Sequence, residues 1–245
     1  MPHQKIMGYL AAILIAAPLA LSGSAPGPLP AGEQSPAAAQ VKKVEDAIRV
    51  LEEMMKESDN SIPIGLIEDC SGLAIIPDVI KAGLVIGGRH GKGVLLVRTK
   101  GGGWSDPSFI DIKGGSIGWQ VGVESADVIL VFRTPRSIAD ITEGKFTLGA
   151  GAGVAAGPLG RSAEASTDSE LKAEILAYSR SRGLYAGLTL QGSSIQEDRK
   201  ANRDFYGTES VSPQAIFEGK VSAVPDIAAK LKGALARLTG AEKKF

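Results

Sequence analysis

The run GLAIIPDVIKAGLVIGGRHGKGVLLVR, residues 72–98, decides the fold. Short β-branched or leucine-rich pieces at 73–76, 83–86 and 93–98 alternate in it with glycines. Such pieces read as strands, because β-branched side chains suit a pleated surface while glycine punctuates it. The rhythm continues at 109–112, 116–123 and 128–132, with Gly101-Gly102-Gly103 and Asp106-Pro107 supplying turn chemistry between strands. Further strands are expected at 145–149, 174–180 and 184–191, the last two as a hairpin around Ser181-Arg182-Gly183. Strands in succession, with few helices between them, predict an α+β fold. Its sheet is expected to be curved and mainly antiparallel, or barrel-like, and packed by several helices.

Helical periodicity flanks this region. Val41, Val44, Ile48, Leu51 and Met55 recur at three- and four-residue steps, which predicts a helix from Val41. A short helix is expected after Pro63, another over 135–141, a polar one over 197–206, and an amphipathic one after Pro225. At the N-terminus, Lys5 precedes an apolar run over 6–21 and then Ser22-Gly23-Ser24-Ala25, the order of an export signal. Residues 25–40 are nearly all Pro, Ala, Gly, Ser and Gln and read as a disordered linker. The expected organisation is a signal peptide over 1–24, that linker, a binding domain over 41–217, and a C-terminal amphipathic helix over 218–245.

The chemistry-bearing residues are few. Formal net charge is zero, so any taste for phosphate must come from local clustering. Cys70 is the sole cysteine, which excludes an internal disulfide and paired-thiolate zinc sites. It reads as a buried, inert thiol, and His90 as an exposed residue in a basic glycine-rich turn, Gly88 to Gly93. Gly91-Lys92 resembles a phosphate loop, but Ile86 stands where that loop needs glycine, and Gly93 where it needs Ser or Thr. Gly151-Ala152-Gly153-Val154-Ala155-Ala156 fits a loose dinucleotide fingerprint without the βαβ pattern that gives the fingerprint meaning. No cofactor, no catalytic residue and no metal ligand set is expected.

Basic residues do cluster. Lys81, Arg89, Lys92, Arg98 and Lys100 fall between Val79 and Gly103 with no acid among them, and Arg180 and Arg182 sit at the hairpin tip. If the sheet gathers these turns at one end, Lys81, Arg89, Lys92, Arg98, Arg180 and Arg182 form a patch for anionic membrane lipids. The bland alternative is a scatter of solvated cations over several faces.

A family resemblance adds to this reading. The run 72–83, then Gly87-Gly88-Arg89-His90-Gly91-Lys92-Gly93, Trp104-Ser105-Asp106-Pro107, Gly114-Gly115-Ser116-Ile117-Gly118-Trp119 and 178–187 resemble the SYLF domain in order, from about Val44 to Gly207. His90 stands where that family often has tyrosine. The resemblance implies binding of phosphoinositides or other acidic phospholipids, and actin-associated work in eukaryotic relatives. Combined with an export signal, it implies a secreted, bacterial-type member, periplasmic or at the cell envelope, that meets bilayer lipid and no cytoskeleton. The alternative function is an envelope structural or protein-interaction module without lipid specificity.

Overall fold

In the computed structural model, the described residues are 35–56, 61–83, 86–117, 122–144, 146–150, 153–160, 173–181, 184, 185 and 190–240. The expected signal peptide, and the linker up to residue 34, lie outside them. Helix α1 spans Pro36–Met55 and so begins before Val41. Ser35 caps it, its Oγ accepting from the Ala38 N–H at 3.2 Å, and Pro36 follows at the first helical position. Residues 36–40, expected in the linker, are therefore helical: a Ser-Pro start followed by alanines is a strong helix signal.

After α2 (Ile64–Glu68) come four long strands, β1 (Gly72–Gly83), β2 (Ile86–Val97), β3 (Ser108–Ile117) and β4 (Gly122–Phe132). Six short strands were expected from 72 to 132. The difference arises because glycines that read as breaks lie inside strands. Gly93 shows why: a Cβ there would sit 2.2 Å from the Ile75 carbonyl oxygen, so only glycine lets β2 cross β1 this closely. Of the pieces expected at 83–86 and 116–123, residues 84, 85 and 118–121 lie outside the described residues. Then follow α3 (Pro135–Thr142), β5 (Phe146–Thr147), β6 (Val154–Ala156), β7 (Ile175–Ser181), β8 (Leu184–Tyr185), β9 (Ser193–Glu197), α4 (Arg199–Tyr206), α5 (Pro213–Phe217) and α6 (Asp226–Leu238).

The sheet runs β5-β9-β3-β2-β1-β4-β7-β6, with β8 paired to β7, and curls without closing. Its pairings are antiparallel except β6 with β7, so the α+β reading with a curved, mainly antiparallel sheet holds. One face carries Leu73, Ile75, Val94, Leu96, Phe109, Ile129 and Tyr178, buried with residues of α1, α4 and α6 such as Leu51, Phe205 and Leu231. The C-terminal helix thus belongs to the main core. The opposite face carries Ile76, Leu95, Ile112, Leu130 and Phe132 against Ile138 and Ile141 of α3. Burying each such side chain contributes about 1.5–3 kcal/mol.

A β-bulge in β1 breaks the register between Ile76 and Val79. Asp78 adopts φ 48° there, and its N–H donates to Asp127 Oδ1 at 3.1 Å. Among the described residues, no helix is long and apolar enough to cross a membrane.

Candidate binding site

Nucleophilic chemistry finds little support. Cys70 is buried, its Sγ donates to the Ile67 carbonyl at 3.1 Å, and burial pushes the thiol up to about 11. Such a thiol holds almost no thiolate at neutral pH. Among the described residues no group of His, Cys, Asp and Glu converges as a metal site would require.

The six expected cations do not gather at one end. The segment 88–93, expected as a basic turn, is the interior of β2, and a strand sends alternate side chains to opposite faces. Arg89 lies on the α3 face with only 6% exposure, beside Lys81, its register partner on β1. Lys92 points to the helical face, where its Nζ meets Asp198 Oδ2 at 2.6 Å. Arg98 lies just past the far end of β2, roughly 30 Å from Arg89 at ~3.4 Å per residue. There it donates to the carbonyls of Ile67 at 2.8 Å and Gly102 at 3.0 Å and stacks 4.1 Å over the Trp104 ring. Arg180 on β7 reaches Glu53 of α1 at 3.3 Å. Arg182 lies outside the described residues.

What does gather is a surface the cation pattern missed. On the helical face the strands β3, β2, β1 and β4 run past the cover of α1. One register row there reads Lys113, His90, Ile80, Ser125, and the next reads Gly115, Gly88, Ala82, Val123. Val123 is 75% exposed and Ile80 47%, two of four exposed large apolar side chains among the described residues. A Cβ on Gly88 or Gly115 would meet nothing within 4 Å, so this part of the sheet is open. Simple alternation would have missed it, because the bulge between Ile76 and Val79 resets the faces of β1, and only the register aligns Ile80 and Val123 on one face.

Cations from α1 border the same surface. A cleft of about 280 Å³ between α1 and the sheet is lined by Lys42, Lys43, Asp46, Ile80, His90 and Lys92. Burial, then the neighbouring Lys92 ammonium, lowers the Lys43 pKa. Burial alone would raise the Asp198 carboxyl, but Lys92 and the Ala201 N–H more than offset it, and the pKa falls below the ordinary value. His90 Nδ1 and Lys113 Nζ both approach Asp111, at 3.3 and 2.5 Å. Lys42 pairs with Asp46 at 2.9 Å as well, so the basic border around the exposed aliphatic side chains is largely ion-paired within the protein, Lys43 excepted among its lysines.

Comparison with known proteins places this geometry in context. The profile of a family described as "Ysc84: Las17-binding protein actin regulator" matches residues 113–238. LAS seventeen-binding protein 3 of Saccharomyces cerevisiae is 40% identical over 173 residues, which are 69% of this chain and 37% of that protein. Protein YSC84 of the same yeast is 41% identical over 187 residues, 73% of this chain and 40% of its own length. SH3 domain-containing YSC84-like protein 1 of Homo sapiens is 36% identical over 182 residues, again 73% of this chain and 52% of its own. The chain thus spans about half or less of the curated relatives it matches.

Proposed function

Since this chain belongs to the Ysc84 (SYLF-domain) family, we propose that it is a binding module, and not an enzyme, that docks on membranes containing anionic phospholipid. The observation that carries this reading is the free end of the sheet, where exposed Ile80 and Val123 share one face with Lys113 and His90 and lie beside Lys42 and Lys43. Aliphatic side chains ringed by cations match a lipid interface, which offers hydrocarbon below a layer of phosphate. Each basic residue near an anionic surface contributes about 1 kcal/mol, so three or four with two buried aliphatics give affinity in the micromolar range. Export to the periplasm or envelope is part of the proposal and rests on the signal-like order of residues 1–24.

Co-sedimentation of the full chain with vesicles tests it. Binding should require anionic lipid and weaken with salt, because charges at a surface are screened. The double variant Ile80→Ser, Val123→Ser should bind about a hundredfold less or weaker still at low salt, and Lys42→Glu with Lys113→Glu should abolish binding. Both pairs are exposed, so the fold should survive. Equal sedimentation with neutral and anionic vesicles, or undiminished binding by both folded variants, overturns the reading.

The names favour a second reading, protein recognition, since the family description and one of the proteins above refer to binding Las17. A groove of about 650 Å³ between α1 and α6 suits it: Ile48, Met55 and Leu238 lie there among Glu45, Glu52 and Glu53. A chain that ignores every vesicle, yet loses a protein partner on Ile48→Ser, would establish it.

A further inference from the structure

On the α3 face, at the same end of the sheet, lies an arrangement that neither core packing nor the exposed surface explains. Arg89 is buried, and the only hydrogen bond it makes among the described residues runs from its Nη1 to Ser193 Oγ at 2.7 Å. Its Nε is buried with no partner. Directly across the ladder stands Lys81, half-buried, and no ion pair joins either cation to a carboxylate among the described residues. Glu124, which faces Lys81 from β4, makes no such pair.

This is an expensive arrangement for a stable fold. An unpaired buried charge costs several kcal/mol, and like charges directly opposed on neighbouring strands repel. The sheet is nevertheless shaped around it. Gly114 occupies the ladder position between Arg89 on β2 and Ser193 on β9. A Cβ at Gly114 would lie 2.5 Å from Ser193 Oγ, so glycine leaves the guanidinium its path to the hydroxyl. Two cations stand side by side across the ladder, next to a hydroxyl with a proton free to donate, and no carboxylate among the described residues answers their charge.

We propose that Lys81, Arg89 and Ser193 form a binding site for a phosphate monoester group, presented by a lipid head group or as a free phosphate. The guanidinium fork matches phosphate oxygens in pairs, Lys81 supplies the second charge, and the Ser193 hydroxyl turns from accepting to donating. Two positive charges favour a dianion over a carboxylate or a phosphodiester. Where the phosphate belongs to a lipid, the proposal deepens the membrane reading and rests on it; where it is free, it stands alone.

The test uses the full chain and two probes. Inorganic phosphate, titrated against thermal stability at constant ionic strength with chloride as control, should give a saturable rise in Tm. Phosphatidylcholine vesicles carrying phosphatidic acid, a monoester, should bind more tightly than vesicles carrying the same fraction of phosphatidylglycerol, a diester. Arg89→Met should erase both effects, and Lys81→Met and Ser193→Ala should each weaken them by about tenfold or less. None of the three should change the binding to phosphatidylglycerol vesicles that the opposite face provides. If Arg89→Met fails to fold, Lys81→Met and Ser193→Ala still decide. A phosphate response without any vesicle binding sinks the membrane reading and leaves a free-phosphate site. Vesicle binding with no monoester preference, and no phosphate response, overturns this site and leaves the membrane reading standing.

Discussion

Arg89 and Arg98 are nine positions apart, near opposite ends of one strand, and they live in opposite circumstances. Arg98 divides its donors between two carbonyls and sits over an indole ring. Arg89 has a single hydroxyl, with another cation as its cross-strand neighbour. In both, Nε is buried without a partner, so the contrast rests on the terminal nitrogens and the surroundings. Arg98 fastens the α2 segment and the loop at Gly102 to the sheet, whereas Arg89 holds charge in reserve. A basic residue in a sequence therefore says little about binding until its donors have been counted.

Disturbing the strand that separates the two arginines should have the largest effect. Gly93→Ala places a methyl against the Ile75 backbone, which cannot move aside as a flexible side chain would. A loss of about 3 kcal/mol or more is expected, read by urea denaturation, because overpacking at a backbone contact exceeds the usual cost of an added methyl.

Sharper is a direct exchange of the two arginines' fates. Arg98→Ala should cost about 2–3 kcal/mol through two lost charge-assisted hydrogen bonds and the ring contact, lowering Tm by about 5–10 °C. Arg89→Met should leave Tm within about 3 °C of the parent or raise it, since an unpaired buried charge is replaced by an apolar chain of similar length. Equal losses in the two variants would show that both arginines are structural.

The smallest effect comes from Lys92, whose side of β2 is opposite to that of Arg89. Its partner Asp198 also caps α4, accepting from the Ala201 N–H at 3.0 Å. Asp198→Asn keeps the cap and removes the charge, and should cost about 1 kcal/mol at neutral pH. Because the folded-state carboxyl titrates below its unfolded value, the contribution is complete above the unfolded pKa, about 4, and is lost as pH falls through the folded pKa. Parent and variant should therefore converge in stability in acid. A gap independent of pH would assign the cost to packing.

How much of this was legible in the sequence follows from the same residues. The β-branched runs marked the sheet and the apolar stripes marked α1 and α6, because those patterns report burial directly. Strand lengths were not legible, since Gly91 and Gly93 look like turn residues until a neighbouring strand is seen pressed against them. Reading a turn there also concealed a simple consequence. Arg89 and Lys92 are an odd number of positions apart, so a continuous strand must send them to opposite faces. β9 escaped notice because Ser193-Ser194-Ile195-Gln196-Glu197 carries one apolar residue, and its strand character comes from pairing with β3 and β5. The exposed pair Ile80 and Val123 needed the β1–β4 register, which no local pattern contains.

The contact between Arg89 and Ser193 joins residues 104 positions apart, one in a central strand and one in β9, among the last strands of the sheet along the chain. Loop closure over such a span makes this contact costly to form early in folding, so the donor set is complete only after β9 has docked. Occupancy and strand docking are then linked equilibria: an anion that bridges Arg89 and Ser193 opposes local opening of β9 and of β5, which hangs from it. Amide hydrogens of Ile195 and Phe146 should exchange more slowly in saturating phosphate than in chloride, while those of β1, already central, should keep their rates. The edge of the sheet, its least secure part, would report the state of the site.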